Sequence, residues 1–519
     1  MAMQAEKWPE AIQCWQDVLK EYRRKAPAGI YVKLARAHRE QGDLEAAEAV
    51  AQQGHQHYPE EMKFVVELAE VAVARSRWEE AIRYWQSVLD LHRENAPARI
   101  YIKLTRAYRR QGEVQTAKTV AKQGLQIYPK ETKLAVELAG IAMAQRDWTE
   151  AIQLWQALLA YQARPKLPEI YANLALAQRK QGDSNTAFNT INTGLSQFPR
   201  AALLLFQSAI LENFRHPPDN QKIPCNLSVM DKESVSIIIC VYNAPDQTQR
   251  CINSIIKKTH SAYKIILIDD ASEKQTINII NRLADNHERI SIVRNTQNIG
   301  YTRSANKGLH LADSEWVVLL NSDTIVTDNW LQGLLECAYS DPSIRAVGPL
   351  SNAAGAQSIP IAYNEDGKYP INLLPPEYTP EDMAVLLRQI SSKSFPKIPI
   401  LNGFCTLINR PTIHEVGYLD EINFPHGYGE ENDLCLRFLK AGHRLAIADH
   451  VYIYHEKSSS FGHENRKVLT QQGTQKILEL WPTYSYKKMR LAVDGIPAMG
   501  DIRNKIGEAL RNRGEINGA

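Results

Sequence analysis

The rhythm of apolar and polar positions divides the chain near residue 216. Before that point the pattern repeats. WPEAIQCWQDVL begins at residue 8, WEEAIRYWQSVL at 78 and WTEAIQLWQALL at 148, a spacing of 70 residues. Gln41-Gly42, Gln111-Gly112 and Gln181-Gly182 keep the same spacing, as do Tyr58-Pro59, Tyr128-Pro129 and Phe198-Pro199. Three markers with one period identify a repeat architecture. Each unit divides into two helical hairpins of about 35 residues. About five hairpins fit between Ala28 and Ala201, with a lone helix before them and a helix at 203–213 closing the stack. Ala35 and Ala47 let helices approach closely. Gly42 relaxes the turn, and Pro59 ends the second helix because it has no N–H to donate. In the second hairpin Ser76 stands where the first has its turn glycine. Trp8 and Trp15, Trp78 and Trp85, and Trp148 and Trp155 are each seven apart, on one helix face. Core packing between hairpins accounts for them better than sugar stacking.

Leu34, Ala35, Gly42, Ala47 and Pro59 stand where a tetratricopeptide repeat has them, and the chain resembles that family here. The resemblance implies an all-α solenoid whose concave face receives a protein partner, an acceptor or a second copy of the chain.

His216-Pro217-Pro218-Asp219-Asn220 and Pro224 break the helical pattern, so residues 216–233 read as a linker. The grammar then changes to β-branched runs. Strands are expected at 235–242, 264–269, 289–294 and 316–321, with helices at 247–258, 273–285 and 301–311 between them. That alternation predicts a mostly parallel sheet with helices on both faces. Ligands bind such sheets outside the carboxyl ends of the strands. The ends here are polar: Val241-Tyr242-Asn243, Asp269-Asp270-Ala271-Ser272 and Asn321-Ser322-Asp323, with Asn298, Gly300 and Asn306 in the loop and helix between.

Composition narrows the function classes. The 519 residues carry 61 Lys and Arg against 58 Asp and Glu, a net charge of +3, so no overall electrostatic case for nucleic acid arises. No apolar run reaches the 18 or so residues of a membrane span, which argues against a membrane-embedded processive synthase. The N-terminus lacks the blocks of a secretory signal. Seven scattered cysteines form no CxxC pair, which points to the reducing cytoplasm.

Residues 234–326 resemble the nucleotide-sugar-binding half of family 2 glycosyltransferases, through SIIICVYN, IILIDDAS, NIGYTRSANKGL and LLNSDT. LNGFCTLINR (401–410), YLDEINFPHGYGEENDLCLRFLKAGH (418–443) and YHEKSSSFG (454–462) resemble the family's second half. The resemblance implies a GT-A fold, Rossmann-like with a mostly parallel sheet, over 234–486, and an inverting transfer from a nucleoside diphosphate sugar to an acceptor hydroxyl. A UDP- or dTDP-sugar is the implied donor, and a glycan, lipid-linked or protein acceptor the implied partner, as in polysaccharide biosynthesis. Val241, Tyr242, Asn243, Asp269 and Asp270 would form the nucleobase pocket. Asp270 has an ordinary alternative as a helix cap. Asn298, Gly300 and Asn306 would shape the ribose and diphosphate wall, or simply a turn and cap. The family's Asp-x-Asp has become Asn321-Ser322-Asp323, so Asp323 alone would hold Mn2+ or Mg2+, with His455 as second ligand and His450 and His463 as rivals. Glu431 is the implied base, with Glu430 and Asp433 beside it. Asp433 has an alternative as an ion pair with Arg437, and the whole acidic group as a helix N-terminus. Gly403, Gly427 and Gly429 suit close approach to a sugar.

Residues 351–400 read as a mobile acceptor loop and 487–519 as a solvated helical tail, with attachment to the inner membrane face as the variant. The rival function is a non-catalytic repeat scaffold with a degenerate nucleotide-sugar domain; the presence of Asp270, Asp323, Glu431 and His455 argues against it. A nucleotidyltransferase would want a basic Gly-rich loop after the first strand, and VYNAPDQ supplies none.

Overall fold

Alanine, leucine and tryptophan recur on one stripe of each N-terminal segment, and those stripes become the helix contacts. The computed structural model describes residues 8–22, 26–92, 96–161, 167–215, 234–376, 378–457 and 463–512. The chain folds into two compact units, Met1–Lys166 and Leu167–Ala519.

In the first unit the helices are α1 (Trp8–Tyr22), α2 (Ala28–Gln41), α3 (Leu44–His57), α4 (Met62–Ala74) and α5 (Trp78–His92). They continue as α6 (Ala98–Arg110), α7 (Val114–Ile127), α8 (Thr132–Ala144) and α9 (Trp148–Ala160). Gly42 ends α2 at φ 92°, and Asp43 caps α3 by accepting from Ala46 N at 3.1 Å. Ser76 and Arg146 take the left-handed conformation without being glycine, at φ 59° and 60°. That costs each about 1 kcal/mol. Trp85 and Trp155 are buried and the other four repeat tryptophans half-buried, so the indoles pack the hairpins as expected. Two buried glutamates cross-link successive hairpins. Glu67 accepts from Arg36 at 2.9 Å and Arg39 at 3.3 Å. Glu137, its equivalent 70 residues on, accepts from Arg106 at 2.6 Å and Arg109 at 2.5 Å.

The second unit begins with the fifth hairpin, α10 (Pro168–Gln181) and α11 (Ser184–Gln197), and the closing helix α12 (Ala202–Arg215). The compact unit thus starts earlier than the linker expected at 216–233, which lies outside the described residues. The reason is the apolar surface of α12. Leu205, Phe206, Ala209 and Ile210 join the same buried cluster as the sheet residues Ile238, Ile266 and Leu319. Polar contacts lock the helix in place: Ala202 N to Pro482 O at 3.1 Å, Glu212 to Arg444 at 2.8 Å, and Asn213 in a two-bond exchange with the backbone of Lys397.

Next come β1 (Val235–Val241), α13 (Pro245–Lys258), β2 (Tyr263–Asp269), α14 (Lys274–Asp285), β3 (Ile290–Arg294), α15 (Tyr301–Leu311) and β4 (Trp316–Asn321). These match the expected elements closely. Then follow β5 (Thr324–Ile325), α16 (Trp330–Tyr339), β6 (Ile344–Leu350), α17 (Pro380–Ile390), β7 (Cys405–Asn409), α18 (Arg410–Val416) and α19 (Glu430–Lys440). The chain ends through β8 (Arg444–Tyr452), β9 (Tyr454–His455), α20 (His463–Leu480), α21 (Tyr486–Asp494) and α22 (Pro497–Asn512).

Among the described residues, seven strands form one sheet in the order β3-β2-β1-β4-β7-β6-β8, parallel except where β7 runs antiparallel between β4 and β6. A mostly parallel sheet is therefore confirmed, with one reversed strand that the alternation of elements did not disclose. Both faces are covered, as such sheets require. Alternate residues of β1 go to opposite cores, Ile237 and Ile239 to one, Ile238 to the other. The register sets Val241 opposite Asp269 and Cys240 opposite Asn321, so the three polar strand ends share one edge.

Two expectations are corrected. Residues 351–400 are not one loop, since α17 occupies part of them with a capping box between Thr379 and Asp382. Nor is the C-terminal segment a solvated tail. Met489, Val493, Met499, Ile502, Ile506 and Leu510 are buried in the same cluster as α12, because α22 turns its apolar face inward.

Candidate active site

Strand ends bring the first group of polar residues together. At the end of β1, Asn243 (φ 55°) exchanges bonds with the turn after β2. Its N–H donates to Ser272 Oγ at 2.9 Å, and its Oδ1 accepts from Glu273 N at 2.9 Å. Tyr242 is exposed beside it, whereas the Val241 side chain is in the core and its carbonyl accepts from Asp270 N. Asp269 is fully buried and spent on structure, accepting from Ser272 N at 3.0 Å and Arg294 Nε at 2.7 Å. Asp270 is no helix cap: α14 is preceded by Glu273, without a side-chain cap. Its carboxylate accepts from Asn295 Nδ2, Ile299 N and Gly300 N at 2.9, 2.9 and 3.0 Å. It thereby folds the loop before α15 over the strand ends. Asn298 assists through Gly300 N at 3.1 Å. Gly300 sits at φ 88° with Pro425 O only 2.5 Å from where a Cβ would stand, so any other residue would push the 425 segment away. Asn306, expected on the diphosphate wall, is buried and clamps the chain ahead of α19 instead. It bonds Leu419 O and N and Glu421.

The β4 end supplies the second group. Asn321 and Ser322 are half-buried there. The short ladder β5–β9 pairs Thr324 with His455, and Glu456 N donates to Asp323 O at 2.9 Å. This brings His455 Nε2 within 3.3 Å of Asp323 Oδ1. His455 Nδ1 lies 3.0 Å from the carbonyl of Ala353. A carbonyl only accepts, so Nδ1 carries the proton and Nε2 is the nitrogen presented to Asp323. Phe404 stacks on the imidazole at 5.2 Å and 15°. One carboxylate oxygen and one imidazole nitrogen, the latter backed by a carbonyl, form a fitting donor set for a divalent transition ion. Among the described residues no group of three or more His, Cys, Asp and Glu side chains is clustered for a metal. The rival His450 lies elsewhere, 3.2 Å from Glu336. Its imidazole, against the opposing effect of burial and with help from Lys393, holds the Glu336 carboxyl at about 2. The His463 side chain lies outside the described residues.

The N-terminus of α19 supplies the acids. Glu430 is buried, with Gly429 N donating to Oε2 at 3.0 Å and, among the described residues, no cation beside it. Burial first, then the neighbouring Glu431, pushes its carboxyl well above the usual range. Glu431 is half-buried and packs against Gly403, 3.6 Å from that residue's would-be Cβ. Asp433 resolves to its structural alternative. One oxygen accepts from Arg437 at 2.8 Å and the other from Trp481 at 2.8 Å. A cavity of about 30 Å³ opens beside the two glutamates, otherwise lined mainly by apolar side chains and by Tyr301. Burial, with the nearby Cys240 thiol and both glutamates, raises the Tyr301 hydroxyl well above its ordinary range. Gly403 and Phe404 border both groups, one against Glu431 and the other against His455. Arg294, Asn295, Tyr301, Phe404 and Asn352 were not singled out by their sequence pattern. Each acts through a contact distant in the chain.

Comparison with known proteins shows a glycosyltransferase domain here. Residues 236–416 match the family model for Glycosyl transferase family 2, and residues 2–59 and 66–132 match the Tetratricopeptide repeat model. Residues 236–416 are thus a family 2 glycosyltransferase domain, preceded by tetratricopeptide repeats. It is similar to glycosyltransferase GlyG of Streptococcus pneumoniae, 22% identical over 232 residues, which cover 44% of this chain and 72% of that protein. The poly-beta-1,6-N-acetyl-D-glucosamine synthase of Staphylococcus epidermidis is 22% identical over 290 residues, covering 54% of this chain and 64% of that one. Among solved structures, mannosyltransferase PcManGT from Pyrobaculum calidifontis, in complex with GDP-Man and Mn2+, aligns with 64% of this chain and 88% of its own, at 14% identity and a TM-score of 0.38.

Proposed function

We propose that this enzyme moves a sugar from a nucleoside diphosphate sugar to an acceptor hydroxyl with inversion, using Glu431 as base and an ion held by Asp323 and His455. The observation that carries the reading is the 3.3 Å approach of His455 Nε2 to Asp323 Oδ1 beside the polar strand ends. When bound, a divalent ion there supplies charge neutralisation for the departing diphosphate. Two protein ligands leave room for phosphate oxygens, and the imidazole favours Mn2+ over Mg2+. Tyr242 and Asn243 at the β1 end line the nucleobase side, and Asp270 holds the loop that covers it. Glu431 takes the proton of the attacking hydroxyl. It is singled out among the three acids because burial disfavours ionisation of Glu430 and both oxygens of Asp433 are engaged.

The repeats would recruit the acceptor, a partner protein or a second copy. Among the described residues no helix is long and apolar enough to cross a membrane. The described cysteines are free, which suits the reducing cytoplasm. The decisive experiment follows donor-sugar hydrolysis and transfer with and without Mn2+. Asp323→Ala should abolish the Mn2+-dependent part while the protein stays folded; equal turnover in that variant would refute the reading. A thermal-shift series of UDP, dTDP and GDP then names the base, since the preferred ligand raises stability by mass action.

A further inference from the structure

His455 belongs to a strand of only two residues, paired on one side with β5. On its other side no strand pairs with it among the described residues, yet its backbone groups are buried and need partners. Asn352 provides them. His455 N donates to Asn352 Oδ1 at 2.8 Å, and Asn352 Nδ2 donates to His455 O at 3.1 Å. A carboxamide offers one acceptor and one donor, like a peptide group, so this side chain stands in for a missing strand. The Asn352 side chain is itself buried, and its oxygen also accepts from Ser351 Oγ at 3.1 Å. The next residue, Ala353, supplies the carbonyl that fixes the His455 ring.

The contact extends outward. The carbonyl of Asn352 accepts twice from Asn372, from N at 3.0 Å and from Nδ2 at 2.9 Å. Asn372 also closes residues 361–372 into a loop, exchanging bonds with the N–H and carbonyl of Ile361 at 3.1 and 2.9 Å. From the far side Arg490 holds that loop through Gly367 O at 2.9 Å. An unbroken chain of hydrogen bonds therefore runs from the loop through Asn372 and Asn352 to His455.

We propose that Asn352 is a positioning residue for the Asp323–His455 pair and that it ties the pair to the loop 361–372. The inference rests on the metal-assisted reading above. Without the carboxamide, His455 loses both backbone partners on one side, and Nε2 is no longer held toward Asp323. Supporting residues of this kind typically change metal affinity by about 10–100-fold when removed.

The test measures Mn2+ binding to the full chain by electron paramagnetic resonance, with saturating UDP and, in parallel, GDP. Asn352→Ala should weaken Mn2+ binding about 10–100-fold while unfolding stays cooperative. Asn372→Ala, further from the ion, should weaken it by a smaller factor, roughly 2–10-fold. Unchanged Mn2+ affinity in a folded Asn352→Ala variant overturns the proposal. If that variant does not fold, Asn372→Ala decides, and unchanged affinity there overturns it equally. Asp323→Ala separates the two readings. If it leaves Mn2+ binding intact, the metal assignment itself falls; if it abolishes binding while the asparagine variants bind normally, only the role of Asn352 does.

Discussion

Glu67 and Glu137 in the repeats and Glu430 beside the transferase cavity are buried to a similar degree, at 2, 7 and 6% exposure. Their surroundings differ in one respect. Each repeat glutamate faces two arginines, whereas Glu430 faces another glutamate and a backbone N–H. A buried acid with cations is a cross-link; a buried acid without them is held ready to carry a proton. Asp433 shows that the distinction does not follow the chain. It lies within one turn of Glu430 and Glu431, yet with Arg437 and Trp481 it belongs to the first class. The third copy of the repeat shows the converse. Leu176 and Gln207 stand where Arg106 and Glu137 stand one period earlier. Those two residues lie in the second unit, where α12 is held by apolar burial and by its bonds to Pro482, Arg444 and Lys397 in place of this cross-link.

Three substitutions break or sharpen this contrast. The largest effect belongs to Glu431→Gln, which keeps the shape and removes the proposed base. Transfer should fall by about 10²–10⁴-fold with the melting temperature unchanged, measured by product formation at saturating donor. Next comes Glu67→Ala, which leaves Arg36 and Arg39 without their acid. The first unit should lose about 2–3 kcal/mol in urea unfolding, while transfer to a small soluble acceptor stays at the wild-type rate. A drop in that rate as large as that of Glu431→Gln would erase the distinction between the two classes.

The smallest effect, and the most diagnostic, is a pH slope in Glu430→Gln. The raised carboxyl of Glu430 means that the folded state keeps a proton which the unfolded chain releases above its ordinary value of 4.5. Wild-type stability therefore falls as pH rises past that value, by up to about 1.4 kcal/mol per pH unit, until Glu430 ionises in the fold. The Gln variant has no such proton to lose. Its stability should decline less steeply across that window, and parallel curves for the two proteins would remove Glu430 from the second class.

Much of the architecture was legible without coordinates. The period of 70 placed the hairpins, and the alternation of β-branched and amphipathic runs placed β1 through β4 and the helices between them. These are local signals, set by side-chain periodicity within a dozen residues. The polar strand ends were legible for the same reason, because chain direction in a parallel sheet already puts them on one edge. The reversed β7 and the inward face of α22 were not, since both depend on partners contributed by distant segments.

What the amino-acid order determined alone is the pair of folds and the set of side chains able to do chemistry at one sheet edge. What only the tertiary structure decided is which of those side chains are already occupied. Trp481 reaches Asp433 across 48 positions, Asn352 reaches His455 across 103, and Glu212 reaches Arg444 across 232. A buried carboxyl becomes a cross-link or keeps its proton according to partners of that kind. Their supply depends on how the chain packs in three dimensions, which no local pattern encodes.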